Sequence, residues 1–114
     1  DYIELGRYEA LRAKVAKDFD AFCGFALERY FFWKFVEEAG YTRMGGWWDR
    51  KGENEIDLVC EDELSNRLDI YEVKRDPARY DALALRKKVD RFLEKNPEKS
   101  SRQLSLRCLS LEDM

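Results

Sequence analysis

The chain has 114 residues, 45% hydrophobic and 14% aromatic, enough for one domain with a single core. Twenty-one basic residues face 24 acidic ones, a net charge of -3, so no global field draws it onto nucleic acid. Histidine is absent, which excludes a Ser-His-Asp triad, a Cys-His pair and a histidine-bound zinc. The three cysteines, Cys23, Cys60 and Cys108, lie far apart without zinc-type spacing and read as free thiols of a reducing, cytoplasmic setting. No apolar run reaches membrane length, and the start at Asp1-Tyr2-Ile3 reads as a piece cut from a longer polypeptide.

In chain order, residues 8–39 read as one long helical tract. Phe19, Phe22, Ala26, Tyr30 and Trp33 recur at helical spacing, and Gly40 is its expected stop. Gly24 marks a close approach or a break within it. Tyr41 to Trp48 reads as a strand interrupted by Gly45-Gly46, and 49–54 as a polar turn. Glu55 to Cys60 alternates Ile56, Leu58 and Cys60 against Glu55, Asp57 and Val59, a strand with one acidic face. A turn over 61–66 leads to a strand from Arg67 to Lys74. After Asp76-Pro77 a second helix runs from Tyr80 to Lys95, with Leu85, Val89, Phe92 and Leu93 on one stripe, and Asn96-Pro97 ends it. Gln103 to Leu109 supplies a fourth strand. The order helix, three strands, helix, strand predicts an α/β domain with a mixed sheet, the last strand returning parallel to the third. The sheet-and-helix core spans 41–109 of one domain, 1–114.

The chemistry lies in the two central strands. Side chains two apart share a strand face, so Glu72 and Lys74 project together, and pairing of the two strands lets Asp57 join them. Carboxylates on neighbouring strands suit a hard cation such as Mg²⁺ or Mn²⁺, and a neighbouring ammonium suits handling water and phosphate charge. This chemistry needs no histidine. The bland alternative is an exposed strand face dressed in charges.

Glu28, Asp57, Glu72 and Lys74, in the order helix, strand, strand, resemble the PD-(D/E)xK nuclease superfamily and its restriction-endonuclease-like core. The segments 22–28, Gly46-Trp47-Trp48-Asp49-Arg50, Glu55-Ile56-Asp57-Leu58-Val59 and Glu72-Val73-Lys74 resemble a domain of unknown function found C-terminal to archaeal-type AAA+ ATPases, in bacteria as well as archaea. Ile56 stands where the superfamily pattern has proline. The resemblance implies Asp57, Glu72 and the Val73 carbonyl as metal ligands, Lys74 as the water-positioning residue and Glu28 as an accessory acid. It also implies DNA (or RNA) as substrate and an ATPase domain in the same polypeptide.

Two further features carry alternatives. One of the adjacent Trp47 and Trp48 belongs in a core, the other to stacking or interdomain packing. Arg86, Lys87, Lys88, Arg91 and Lys95 form either a solvated helix face or a phosphate-contacting patch, to which Arg43, Arg50 and Lys51 add. No Walker-type phosphate loop occurs. A second function class stays open: a catalytically inactive docking or dimerising platform that regulates the attached ATPase.

Overall fold

The computed structural model describes residues 24–114. The expected helical tract therefore falls partly outside the described residues, Phe19, Phe22 and Cys23 included. Helix α1 spans Gly24–Glu38. Leu27, Tyr30 and Phe31 recur on one face and are 0–1% exposed, which is what fixes the helix to the sheet. Past its last turn Gly40 adopts φ +69°, a left-handed conformation that glycine enters without a Cβ clash.

Four strands follow: β1 Arg43–Trp48, β2 Glu55–Asp62, β3 Arg67–Val73 and β4 Gln103–Leu109. Their order in the sheet is β1-β2-β3-β4. The first two pairings are antiparallel and β3–β4 is parallel, as the crossover predicts. That crossover is helix α2, Ala82–Lys95, capped by the Asp81 side chain accepting from the Ala84 N–H. Pro77 opens a separate short 3₁₀ turn over Pro77–Arg79, so α2 begins two residues later than its periodicity suggested.

Each face of the sheet buries one helix. Leu27, Tyr30 and Phe31 of α1 pack on Leu58, Cys60, Tyr71 and Val73. Leu85, Val89 and Phe92 of α2 pack on Ile56, Leu68 and Ile70. Strand β3 is thus covered on both sides, which accounts for its near-continuous burial. Burying Leu27 or Val89 fully contributes roughly 1.5–3 kcal/mol each by area removed from water.

Polar groups inside this frame are paired. Asp69 accepts from the Tyr41 hydroxyl at 2.7 Å and from Arg67 at 2.8 Å. Tyr41 and Tyr71 hydroxyls meet at 2.8 Å, and burial with these acceptors pushes the Tyr41 phenol far up. Among the described residues no buried side-chain nitrogen or oxygen lacks a partner. Cys60 is a buried free thiol and Cys108 a half-buried one, and burial pushes the Cys60 thiol up to about 12. No described helix is long and apolar enough to cross a membrane.

Candidate active site

A single irregularity of β2 shapes the site. Gly45 stands opposite Val59, but Trp47 stands opposite Ile56, so Gly46 alone faces both Asp57 and Leu58. That is a β-bulge, and at a bulge the strict alternation of side chains fails. The alternation expected for 55–60 is corrected here: Ile56 enters the α2 core while Leu58 and Cys60 enter the α1 core. Asp57 is turned to the α1 side with Leu58, where it joins Glu28. A Cβ on Gly46 would lie 3.4 Å from the carbonyl oxygens of Ile56 and Asp57, so the bulge closes tightly against this glycine.

The bulge falls where β2 and β3 part. Their last paired residues are Leu58 and Tyr71. Beyond them the Val73 N–H donates to Asp57 Oδ2 at 2.8 Å, a side chain taking the place of the next ladder bond. In a strand the N–H and C=O of one residue lie along the same edge, so the Val73 carbonyl opens toward this gap as well.

Glu28 follows the buried Leu27 and sits at the border of the apolar face of α1, half-buried. Its carboxyl is pushed up to about 8, first by burial, then by its hydrogen bond to Asp57 and the charges of Asp57 and Glu55. At neutral pH Glu28 therefore keeps its proton and donates it to Asp57. The two acids line an open cavity of about 410 Å³ together with Glu55, Phe32, Trp33 and Trp48.

Glu72 lies on the other side of the sheet. It continues the Leu68, Ile70 alternation toward α2 and is 7% exposed. Its Oε1 is 3.3 Å from Lys88 Nζ and 3.8 Å from Lys74 Nζ. The expected convergence of Asp57, Glu72 and Lys74 on one pocket is corrected here: the residues form two pairs at one end of the sheet, Glu28 with Asp57 and Glu72 with Lys74, with the backbone of Val73 between them, because Glu72 faces α2 while the bulge turns Asp57 toward α1. Lys88 is the residue that sequence reasoning missed in this role. Its charge groups it with the basic helix face, yet it follows Leu85 by three residues and precedes Val89, which places it on the flank of the buried stripe.

Of the expected phosphate contacts, Arg50 and Lys51 line a second hollow with Arg91 and Lys95 of α2. Arg86 instead pairs with Asp90 at 3.2 Å on the exposed helix surface, and Lys87 is exposed beside it. Glu61, expected in a turn, belongs to β2 and is 3% exposed. Lys99 at 2.8 Å and Arg102 at 2.5 Å neutralise it and hold its carboxyl below the usual range despite burial. Its partners lie 38 and 41 residues along the chain, which no local pattern reveals.

As to metal, no group of three or more carboxylates, thiols or imidazoles among the described residues is arranged to hold an ion. A caged structural site is therefore not built there. Mg²⁺ commonly takes only one or two carboxylates and keeps its waters, and the Glu28–Asp57 pair with the Val73 carbonyl fits that smaller demand.

A four-stranded mixed sheet with a helix on each face and acids at the parting of its central strands defines an α/β domain of two-layered cover. The chain belongs to the DUF234 family, archaeal and bacterial proteins of unknown function, which it matches over residues 1–85. That match takes in Glu28, Asp57, Glu72 and Lys74 and stops short of Lys88. No curated protein and no solved structure matches the chain.

Proposed function

We propose that this chain is a metal-dependent phosphodiesterase domain of the PD-(D/E)xK nuclease type, acting on DNA and carried by an ATPase polypeptide. The observation that supports this most is the bulge at Asp57. It takes a carboxylate out of strand alternation and sets it against a second carboxyl in an open cavity, a costly placement that contributes nothing to the core. Glu28 and Asp57 would hold Mg²⁺ or Mn²⁺, with the Val73 carbonyl on the same edge. The bound ion would supply neutralisation of phosphate charge and acidification of a water.

The chain's own groups have separable tasks. Asp57 is fixed by the Val73 N–H, so its second oxygen keeps a constant aim. Glu28, protonated at neutral pH, would serve as a ligand only after releasing that proton to the solvent of the open cavity. Glu72 sets the reach of Lys74, and Lys88 shares the charge of Glu72 so that the Lys74 ammonium is not fully spent on it. The Lys74 ammonium, at the same end of the sheet across the Val73 backbone, would offset charge on the phosphate.

The test is titration of Mn²⁺ into the chain and its Asp57→Ala variant, beside cleavage of linear, single-stranded and branched DNA. Asp57-dependent binding and cleavage lost in Lys74→Ala are expected. No site-dependent binding at millimolar metal overturns the proposal. Trp48, 69% exposed on the edge strand, favours the rival reading of a docking platform for the ATPase. On that reading Lys74→Ala leaves biological function intact while Trp48→Ala disrupts assembly.

A further inference from the structure

Two hollows flank the β1 edge strand. On the α1 side is the carboxyl cavity, walled by Phe32, Trp33 and Trp48. On the α2 side is a hollow of about 240 Å³ lined by Arg50 and Lys51 of the β1–β2 turn, Arg91 and Lys95 of α2, and Trp47. Trp47 is fixed there by an edge-to-face contact with Phe92, ring centroids 5.5 Å apart. Four exposed cations collect on a chain whose net charge is -3, and none of them forms an ion pair among the described residues. Two acids, Asp49 and Glu53, also line the hollow. Asp49 is occupied by the turn, accepting from the Glu53 N–H at 2.9 Å and from Asn54 at 2.8 Å.

We infer that a single nucleic-acid strand crosses the β1 edge, its phosphates in the Arg50–Lys51–Arg91–Lys95 hollow and an unpaired base on Trp48 beside the Glu28–Asp57 pair. Three facts lead there. Spaced cations without carboxylate partners suit a phosphodiester backbone. Exposed aromatic faces suit bases whose own faces are free, which a duplex hides. The two hollows open on opposite sides of the sheet, and a double helix stays straight over about 150 base pairs, so it does not turn around one edge strand. A single strand does. The inference rests on the preceding reading for its choice of substrate, but it concerns binding, which is measured without catalysis.

The experiment uses the 114-residue chain in EDTA, with fluorescence anisotropy of labelled oligothymidylate, oligouridylate and a hairpin duplex, and inorganic polyphosphate as competitor, over a salt series. Single strands are expected to bind about tenfold or more tighter than the duplex, as one stacked base would give. Arg91→Ala with Lys95→Ala should weaken binding and flatten the log–log salt slope by roughly 1.4, about 0.7 per lost contact. Lys95→Arg should retain the slope. Trp48→Ala should weaken single strands roughly tenfold at unchanged slope while polyphosphate competition stays the same. Equal or tighter duplex binding, an unchanged slope in the double variant, or single-strand affinity indifferent to Trp48 each overturns the inference. Circular dichroism melts confirm that these surface variants fold. Duplex preference with Asp57-dependent hydrolysis intact defeats this inference alone. Single-strand binding as expected, without Asp57-dependent Mn²⁺ binding, defeats the nuclease reading alone.

Discussion

Replacing Asp57 by Asn tests the Glu28–Asp57 pairing directly. The variant keeps the shape of the side chain and removes its charge. In the native chain Glu28 titrates at about 8 instead of 4.5, with burial the largest cause and Asp57 the next. A carboxyl of that midpoint is about nine-tenths protonated at pH 7. Asp57→Asn leaves burial in place and removes the like charge, so the midpoint should fall by roughly one to two pH units and remain above the ordinary value. Carbon-13 NMR of the Glu28 carboxyl reads this position by position. Linkage gives a second readout, with a definite sign. Between pH 4.5 and 8 the folded chain holds a proton on Glu28 that the unfolded chain has released. The Glu28 contribution to stability is therefore fully present below 4.5 and is lost as pH rises through 8. Glu28 is only half-buried, so solvent screening blunts the slope. Glu28→Gln should flatten it over the same window. A native midpoint below about 5.5, or one that Asp57→Asn leaves in place, would refute the pairing.

Three other outcomes follow from the same fold. Glu61→Gln leaves Lys99 and Arg102 facing each other with no anion, and should cost about 3 kcal/mol, read as a lower urea midpoint at unchanged m. Because the Glu61 carboxyl is held below its usual range, the native chain should also lose this stability as pH falls from its unfolded value near 4.5 through its lower folded one, a loss absent in the variant. On the nuclease reading EDTA should abolish hydrolysis, while the thermal midpoint should stay unmoved, since no cluster of three ligands is arranged to hold a structural ion among the described residues. Leu27→Ala, emptying a fully buried position between α1 and the sheet, should cost roughly 2–5 kcal/mol in urea unfolding, and α1 should carry Glu28 away from Asp57, lowering the Glu28 midpoint.

Much of the architecture was written locally. The period of Leu85, Val89 and Phe92 made a helix, the apolar run of β3 made a strand covered on both sides, and Gly40 and Asn96-Pro97 ended their helices for reasons of backbone geometry. The pairing of Glu72 with Lys74 followed from spacing by two along a strand. The element order, the two apolar helix faces and the residue types able to bind a hard cation or a phosphate were thus legible from the chain alone.

Tertiary structure decided where those residues point. A bulge is a mismatch of count between two strands, so nothing in 55–60 alone announces that Asp57 and Leu58 share a face; Gly46, on another strand, completes it. The proton on Glu28 depends on a helix and a strand meeting, and the neutralisation of Glu61 on cations about forty residues away. Lys88 reached Glu72 because α2 crosses the sheet, which made an apparently solvated lysine its nearest cation. Propensity and period act over a few residues, whereas the aim and charge state of a side chain are set by whatever the fold brings within a few ångströms of it.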